Sequence, residues 1–270
     1  MLLTRRPALP LATHVEALWY YDGCPTTHHA ERVLPNGRLQ LVVNLAAGVA
    51  AVAGIRSHSV TIDTAVIPSM MGVVFRAGGA HGFFGAPANA FFNHVMPLDA
   101  VWGARAMTLH DLLSEAPTVS DKFQRLESVL SQAMRSAGDE RLALHPSVQH
   151  ALEIVRGSAR VRTVTEMSRR SGLSRRRLGQ LFDEQVGMTP KLYCRLVRFR
   201  EVVRYIAAGA PVDWADLAAA GGYSDQAHLS HDFRDFSGMS PSSYLAAQRP
   251  FINHVRITSH SYKTRHAGGF

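Results

Sequence analysis

Apolar and polar positions follow two different periods along this chain. Residues 38–45 are aliphatic and β-branched, and they follow Leu34-Pro35-Asn36-Gly37, whose Asn-Gly pair is a strong turn signal. Residues 49–55, 59–67 and 71–75 read as further strands, punctuated by Gly48, Gly54, Pro68, Gly72 and Gly78-Gly79. From Leu98 the pattern turns helical. Residues 102–113 and 122–134 place apolar side chains three and four apart, with Phe123, Leu126, Leu130 and Met134 forming one stripe and Ser120 placed to cap it. The polar stretch 136–145 reads as a linker.

Beyond it every segment reads as helix: 146–155, 164–170, 174–186, 190–207, 213–220, 225–236 and 241–248. Ser174 and Ser224 stand at N-cap positions, Gly187 and Gly238 at C-terminal stops, and Pro190 and Pro241 in first turns. Two of these segments repeat each other. Met167-Ser168 matches Leu217-Ala218, and Gly172-Leu173-Ser174 matches Gly222-Tyr223-Ser224, at an offset of 50. The offset then becomes 51. Leu178 pairs with Leu229, Phe182 with Phe233, Gly187-Met188-Thr189-Pro190 with Gly238-Met239-Ser240-Pro241, and Tyr193 with Tyr244. A self-match of this kind is one supersecondary unit built twice, here helix, tight turn, helix. The expected fold class is α+β: a mostly-β N-terminal domain over 1–135, a small barrel or roll with trailing helices, then an all-α domain over 146–250 in which a long helix joins two helix-turn-helix units. The tail 251–270 is expected to be partly disordered.

Leu178 and Phe182, like Leu229 and Phe233, lie four apart and turn one face of each second helix inward. The opposite face of the first carries Arg175, Arg176, Arg177 and Gln180; that of the second carries Gln226, Ala227, Ser230, His231 and Arg234. Arg can read guanine and Gln adenine by paired hydrogen bonds, and a short helix with such side chains near its N-terminus is how a helix-turn-helix enters the major groove. Charge supports a polyanionic partner. Residues 1–144 hold 11 Lys/Arg and 11 Asp/Glu, whereas 145–270 hold 18 and 10, so the whole formal charge of +8 lies in the helical half. Residues 191–207 of the connecting helix span roughly 25 Å at ~1.5 Å per residue, suited to holding two readers in neighbouring grooves. Its Arg195, Arg198, Arg200 and Arg204 are expected partly to face the DNA backbone and partly to pair with Glu201 and other acids.

The run Gly222-Tyr223-Ser224-Asp225-Gln226-Ala227-His228-Leu229-Ser230-His231-Asp232-Phe233-Arg234, followed by Phe236-Ser237-Gly238-Met239-Ser240-Pro241 and Tyr244, resembles the signature of the AraC family of bacterial transcriptional activators. The resemblance covers residues 146–248. It implies that Arg176, Gly179 and Gln180 read bases in the first unit, and that Gln226, Ala227 and His231 do so in the second. Gly179 and Ala227 are smaller than the usual side chains there, which implies more shape readout at those points. The first half resembles an N-terminal domain found on some AraC-type regulators, through Arg32-Val33-Leu34-Pro35-Asn36-Gly37, Val43-Asn44-Leu45, residues 72–80, Pro97-Leu98 and Trp102-Gly103. The partners implied are double-stranded DNA, a small-molecule effector, a second copy of the chain and, for an activator, RNA polymerase.

Other constellations are weaker. Arg76, at a strand end beside Gly78-Gly79, is a candidate for holding an anionic effector. Cys24, His28, His29 and Glu31 match no standard closed metal site, so no metal is expected. The glycines of 78–85 lack a phosphate-loop lysine, so no cofactor is expected either. An enzyme reading, a DNA-repair alkyltransferase fused to the reader, needs an activated cysteine. Cys24 precedes Pro25 with no adjacent histidine, and Cys194 lies within the connecting helix, so the chain is not expected to be an enzyme. Two cysteines far apart suit a reducing compartment, and no apolar run is long enough to span a membrane, which together suggest a cytoplasmic protein.

Overall fold

The computed structural model describes residues 2–22, 30–64, 69–157, 164–209, 211–247, 249 and 251–257. Among these described residues nine strands form two antiparallel sheets. The larger contains β1 (Leu2–Arg5), β2 (Val15–Tyr21), β4 (Gln40–Asn44), β5 (Val49–Ala53), β7 (Met70–Phe75) and β8 (Val95–Pro97), in the order β1-β2-β7-β4-β5-β8. The smaller contains β3 (Ala30–Val33), β6 (Val60–Asp63) and β9 (His254–Arg256), in the order β6-β3-β9. Among the described residues both sheets are open, so the expected β-rich region is present without a closed barrel. Leu18, Val73, Leu41 and Val52 are register partners across four adjacent strands, and all four are fully buried. This row is the inward face that the alternation in 38–45 and 49–55 requires. Gly72 is fixed by its neighbours. A Cβ there would lie 2.5 Å from the Trp19 ring and 2.6 Å from the Leu41 carbonyl oxygen.

Over the large sheet pack Phe75, Phe83, Phe84 and Phe91, with Trp102 stacked on Phe84 at 5.6 Å and donating its indole N–H to the Phe83 carbonyl at 2.9 Å. Helices α1 (Asp99–Trp102), α2 (Ala104–Ser114), α3 (Val119–Ala137) and α4 (Asp139–Leu142) follow. The predicted stripe of α3 holds: Phe123, Leu126 and Leu130 are buried. Its cap is Thr118 and not Ser120, because Thr118 and Asp121 satisfy each other's backbone N–H groups as a capping box. The strand expected over 59–67 stops at Asp63, and 65–68 lie outside the described residues. Strands β1, β2 and β3 were not predicted. They are short or, in β2, carry Glu and adjacent aromatics that blur the alternation.

The second half is helical: α5 (Pro146–Gly157), α6 (Val164–Ser171), α7 (Arg175–Val186), α8 (Pro190–Ala207), α9 (Trp214–Ala220), α10 (Gln226–Ser237) and α11 (Pro241–Ala246). One contiguous apolar core runs through both halves. The chain then returns after α11. Residues 254–256, inside the expected tail, pair with β3 as strand β9, and Val255 is 1% exposed. Cys24, His28 and His29 of the weighed metal set lie outside the described residues, while Glu31 is buried.

Candidate nucleic-acid interface

The sequence repeat is a structural repeat. In each unit the turn glycine adopts a positive φ, +70° at Gly172 and +75° at Gly222, a conformation that costs a residue with a Cβ about 1–2 kcal/mol. Each second helix ends on a left-handed glycine, Gly187 or Gly238. The buried pairs Leu178/Phe182 and Leu229/Phe233 face inward, and the matched tyrosines pack alike: Phe182 meets Tyr193 at 5.4 Å, and Phe233 meets Tyr244 at 5.5 Å. The change of offset has a local cause. Ser174 caps α7 by accepting from the Arg177 N–H, but α10 is capped by Asp225, whose side chain accepts from the His228 N–H at 2.7 Å. Ser224 is therefore not the N-cap. It is an extra turn residue that donates its hydroxyl to Asp225, and Ser174 corresponds to Asp225 at offset 51.

The predicted reading residues stay at the surface. Arg175, Arg176, Arg177 and Gln180 on α7 are exposed, as are Gln226, Ala227, His231 and Arg234 on α10; Gly179 and Ser230 are half-buried. A Cβ on Gly179 would meet nothing within 4 Å, so the face is open at that point. Among the described residues no ion pair engages Arg175, Arg176 or Arg177, so their charge is available to phosphate. The arginines on α6 differ. Arg169 and Arg170 both bind Glu166, and these hydrogen bonds hold its carboxyl down to about 2. On α10, His231 Nδ1 lies 3.4 Å from Asp235.

On the connecting helix α8 the expected pairing with acids holds for two arginines: Arg195 and Arg198 turn onto Asp232 of α10, which is 2% exposed, and Arg195 also onto Asp235. Asp232 was not singled out from the sequence, although one signal was there: the repeat places Leu181 at the matching position of the first unit. His231, Asp232 and Asp235 bring ligating atoms close together, but the Asp232 carboxylate is held by two guanidinium groups, which makes the cluster an ion-pair network. Arg200 faces the N-terminal domain. Burial, with Arg38 and Arg204 nearby, pushes its guanidinium down to about 10. Arg76 is half-buried and donates Nε–H to the Ala12 carbonyl at 2.8 Å. Cys194 is buried against the Met167 sulfur at 3.6 Å.

The N-terminal domain touches both units at the C-terminal ends of their second helices. Gly187 packs against Ala88, where a Cβ would lie 2.9 Å from the Ala88 carbonyl oxygen, and Asn89 donates to Asp183 at 2.8 Å. On the other unit Arg32 donates to the Gly238 carbonyl at 3.1 Å, and the Ser59 backbone N–H donates to the Phe236 carbonyl at 2.8 Å. Between α7 and the loop preceding Ala88 lies an open cleft of about 570 Å³, lined by His81, Asn89, Arg141, Gln180, Asp183 and Glu184 among others.

Two helix-turn-helix units with exposed polar faces, carried on one connecting helix, define a DNA-binding protein of the transcription-regulator class. Residues 167–247 match the family described as helix-turn-helix domain, and residues 3–97 match a domain of unknown function, DUF6597. The chain thus carries an AraC-type helix-turn-helix domain behind an N-terminal domain of the DUF6597 family. No curated protein matches the chain. Among solved structures, the C-terminal domain of the response regulator AraT from Geobacillus stearothermophilus is similar at 17% identity, covering 46% of this chain and 97% of that one, with a TM-score of 0.37. ToxT from Vibrio cholerae is similar at 10% identity over 91% of this chain and 97% of that one, TM-score 0.43. An AraC-type regulator from Chromobacterium violaceum shows 20% identity over 37% and 90%, TM-score 0.34. No helix among the described residues is long and apolar enough to cross a membrane.

Proposed function

We propose that the chain is a sequence-specific regulator of transcription in which α7 and α10 are the two recognition helices, lying in successive major grooves of one DNA face. The observation that carries this reading is the doubled unit itself: equivalent helices present Arg175, Arg176, Arg177, Gly179 and Gln180 on one side, and Gln226, Ala227, Ser230, His231 and Arg234 on the other, all exposed except the half-buried Gly179 and Ser230. Arg176 and Gln180 in the first unit, and Gln226 and His231 in the second, select bases, while Arg175, Arg177 and Arg234 hold phosphate. The first unit supplies more of the electrostatic affinity.

The N-terminal domain controls the reader. It grips α7 at Asp183 and Gly187 and α10 at Gly238, so a shift between the two halves alters how both helices meet the duplex. A small effector, with Arg76 as a candidate anchor, or pairing of two chains through this domain would supply that shift. The double-stranded DNA partner is tested by selecting bound sequences from a random pool with the full chain. Two conserved half-sites are expected, and Arg176→Ala with Gln180→Ala should relax preference in one of them only. Unchanged selectivity in that variant would remove the role given to α7.

A further inference from the structure

Asp232 is out of keeping with its place in the repeat. At offset 51 it corresponds to Leu181, and the two are 2% and 6% exposed. The helix-turn-helix unit by itself accommodates an aliphatic side chain there. A carboxylate in the same place pays a desolvation penalty that only cationic partners can offset. Those partners come from the connecting helix. Arg195 donates through Nε and Nη2 to Oδ1 at 3.0 and 2.7 Å, and Arg198 Nη2 lies 3.7 Å from Oδ2. Each arginine has a second hold on the same unit. Arg195 also reaches Asp235 at 2.7 Å and lies over the Phe236 ring at 5.3 Å. Arg198 donates to the Gly222 carbonyl at 3.1 Å and lies over the Tyr223 ring at 4.9 Å, so it holds the turn as well as the helix.

We propose that Asp232 is a positioning residue: by clamping Arg195 through paired hydrogen bonds and attracting Arg198 across 3.7 Å it makes α8 and α10 one rigid body, and so fixes the spacing between half-sites that the protein accepts. This rests on the reading that α7 and α10 both enter the duplex. The physical basis is directional. A guanidinium held through two N–H groups on a carboxylate has a defined plane and angle, whereas an aliphatic contact such as that of Leu181 can slide. Adding one base pair between half-sites swings the second by about 36° around the duplex axis, given roughly 10 base pairs per turn. A rigid reader cannot follow that rotation, and a hinged one can.

The test measures affinity of the full chain at fixed salt for the selected two-part DNA and for versions with the spacer one or two base pairs longer or shorter. The wild type should lose about tenfold or more on a one-base-pair change. Asp232→Asn and Arg195→Gln should each flatten that loss to below about threefold, and Asp232→Glu should retain most of the wild-type profile. Arg195 reaches the surface, so Arg195→Gln keeps the test decisive if Asp232→Asn does not fold. An unchanged spacing profile in the folded variants overturns the proposal. So does a uniform weakening at every spacing, which is what simple destabilisation produces. If the wild type itself recognises a single half-site, the two-helix reading fails and the proposal fails with it, a result visible before any variant is made.

Discussion

Nδ1 of His254 lies 2.6 Å from Oε2 of Glu31, a side chain only 5% exposed and 223 residues earlier in the chain. The contact closes the ladder between β9 and β3, and it ties the segment after the DNA-binding domain to the N-terminal sheet. His254→Ala takes this partner from a buried carboxylate. A loss of about 1.5–3 kcal/mol is expected, the net worth of a hydrogen bond to a charged group. Urea unfolding of the two chains measures it; a difference below ~0.5 kcal/mol, the scale of an ordinary surface change, would show that β9 is not a structural strap.

The three arginines at the start of α7 make a prediction about salt. If Arg175 and Arg177 contact phosphate, replacing both by Ala weakens binding to all sequences alike. The slope of log affinity against log salt should fall by about 0.9 for each lost contact. Titrations at several salt concentrations decide the matter, and an unaltered slope would place these side chains away from the backbone.

Gly172 and Gly187 separate local strain from docking. Both have positive φ, +70° and +89°, but a Cβ at 172 meets nothing within 4 Å, while one at 187 lies 2.9 Å from the Ala88 carbonyl oxygen and 3.1 Å from Ile55. Gly172→Ala is expected to cost about 1–2 kcal/mol from backbone conformation alone. Gly187→Ala should cost more, and should loosen the grip of the N-terminal domain on α7. Equal losses in chemical denaturation would mean that the contact with Ala88 yields at no cost.

Stability should fall in mild acid. Burial holds His14 and His81 below their ordinary value of 6.5; the Gly79 backbone opposes this weakly at His14, while at His81 Glu184 opposes it and Arg141 adds to it. A histidine with a depressed folded-state pKa binds fewer protons in the folded than in the unfolded chain. Its contribution is therefore complete above about pH 6.5–7 and is lost as pH falls below the unfolded value. Melting temperatures recorded from pH 7.5 down to 5.5 should decline, and less steeply in His81→Gln. A rise over the same interval would reverse the assigned direction.

Much of the helical half was legible in the sequence because its signals are local. Gly172, Gly222, Gly187 and Gly238 mark backbone geometry that few other residues accept, Pro190 and Pro241 mark first turns, and the four-residue spacing of Leu178/Phe182 and Leu229/Phe233 marks the inward face. Each is satisfied within a dozen residues, so the repeat could be read without a partner in view. Where two local choices competed, as between Ser224 and Asp225 for the cap of α10, the stronger acceptor in the right backbone conformation prevailed, and only the structure shows which.

By itself, then, the amino-acid order determined that two like units would form, which faces they bury and which basic side chains they leave outside. Tertiary structure alone decided the rest. It joined β3 to β9, brought Ala88 onto Gly187, turned Arg32 onto the end of α10 and gave Asp232 its two arginines. These pairings span some 35 to more than 200 residues. No periodicity encodes them, because they depend on surfaces that exist only after the elements have formed, and on burial that makes a carboxylate at the position matching Leu181 tolerable only beside a guanidinium.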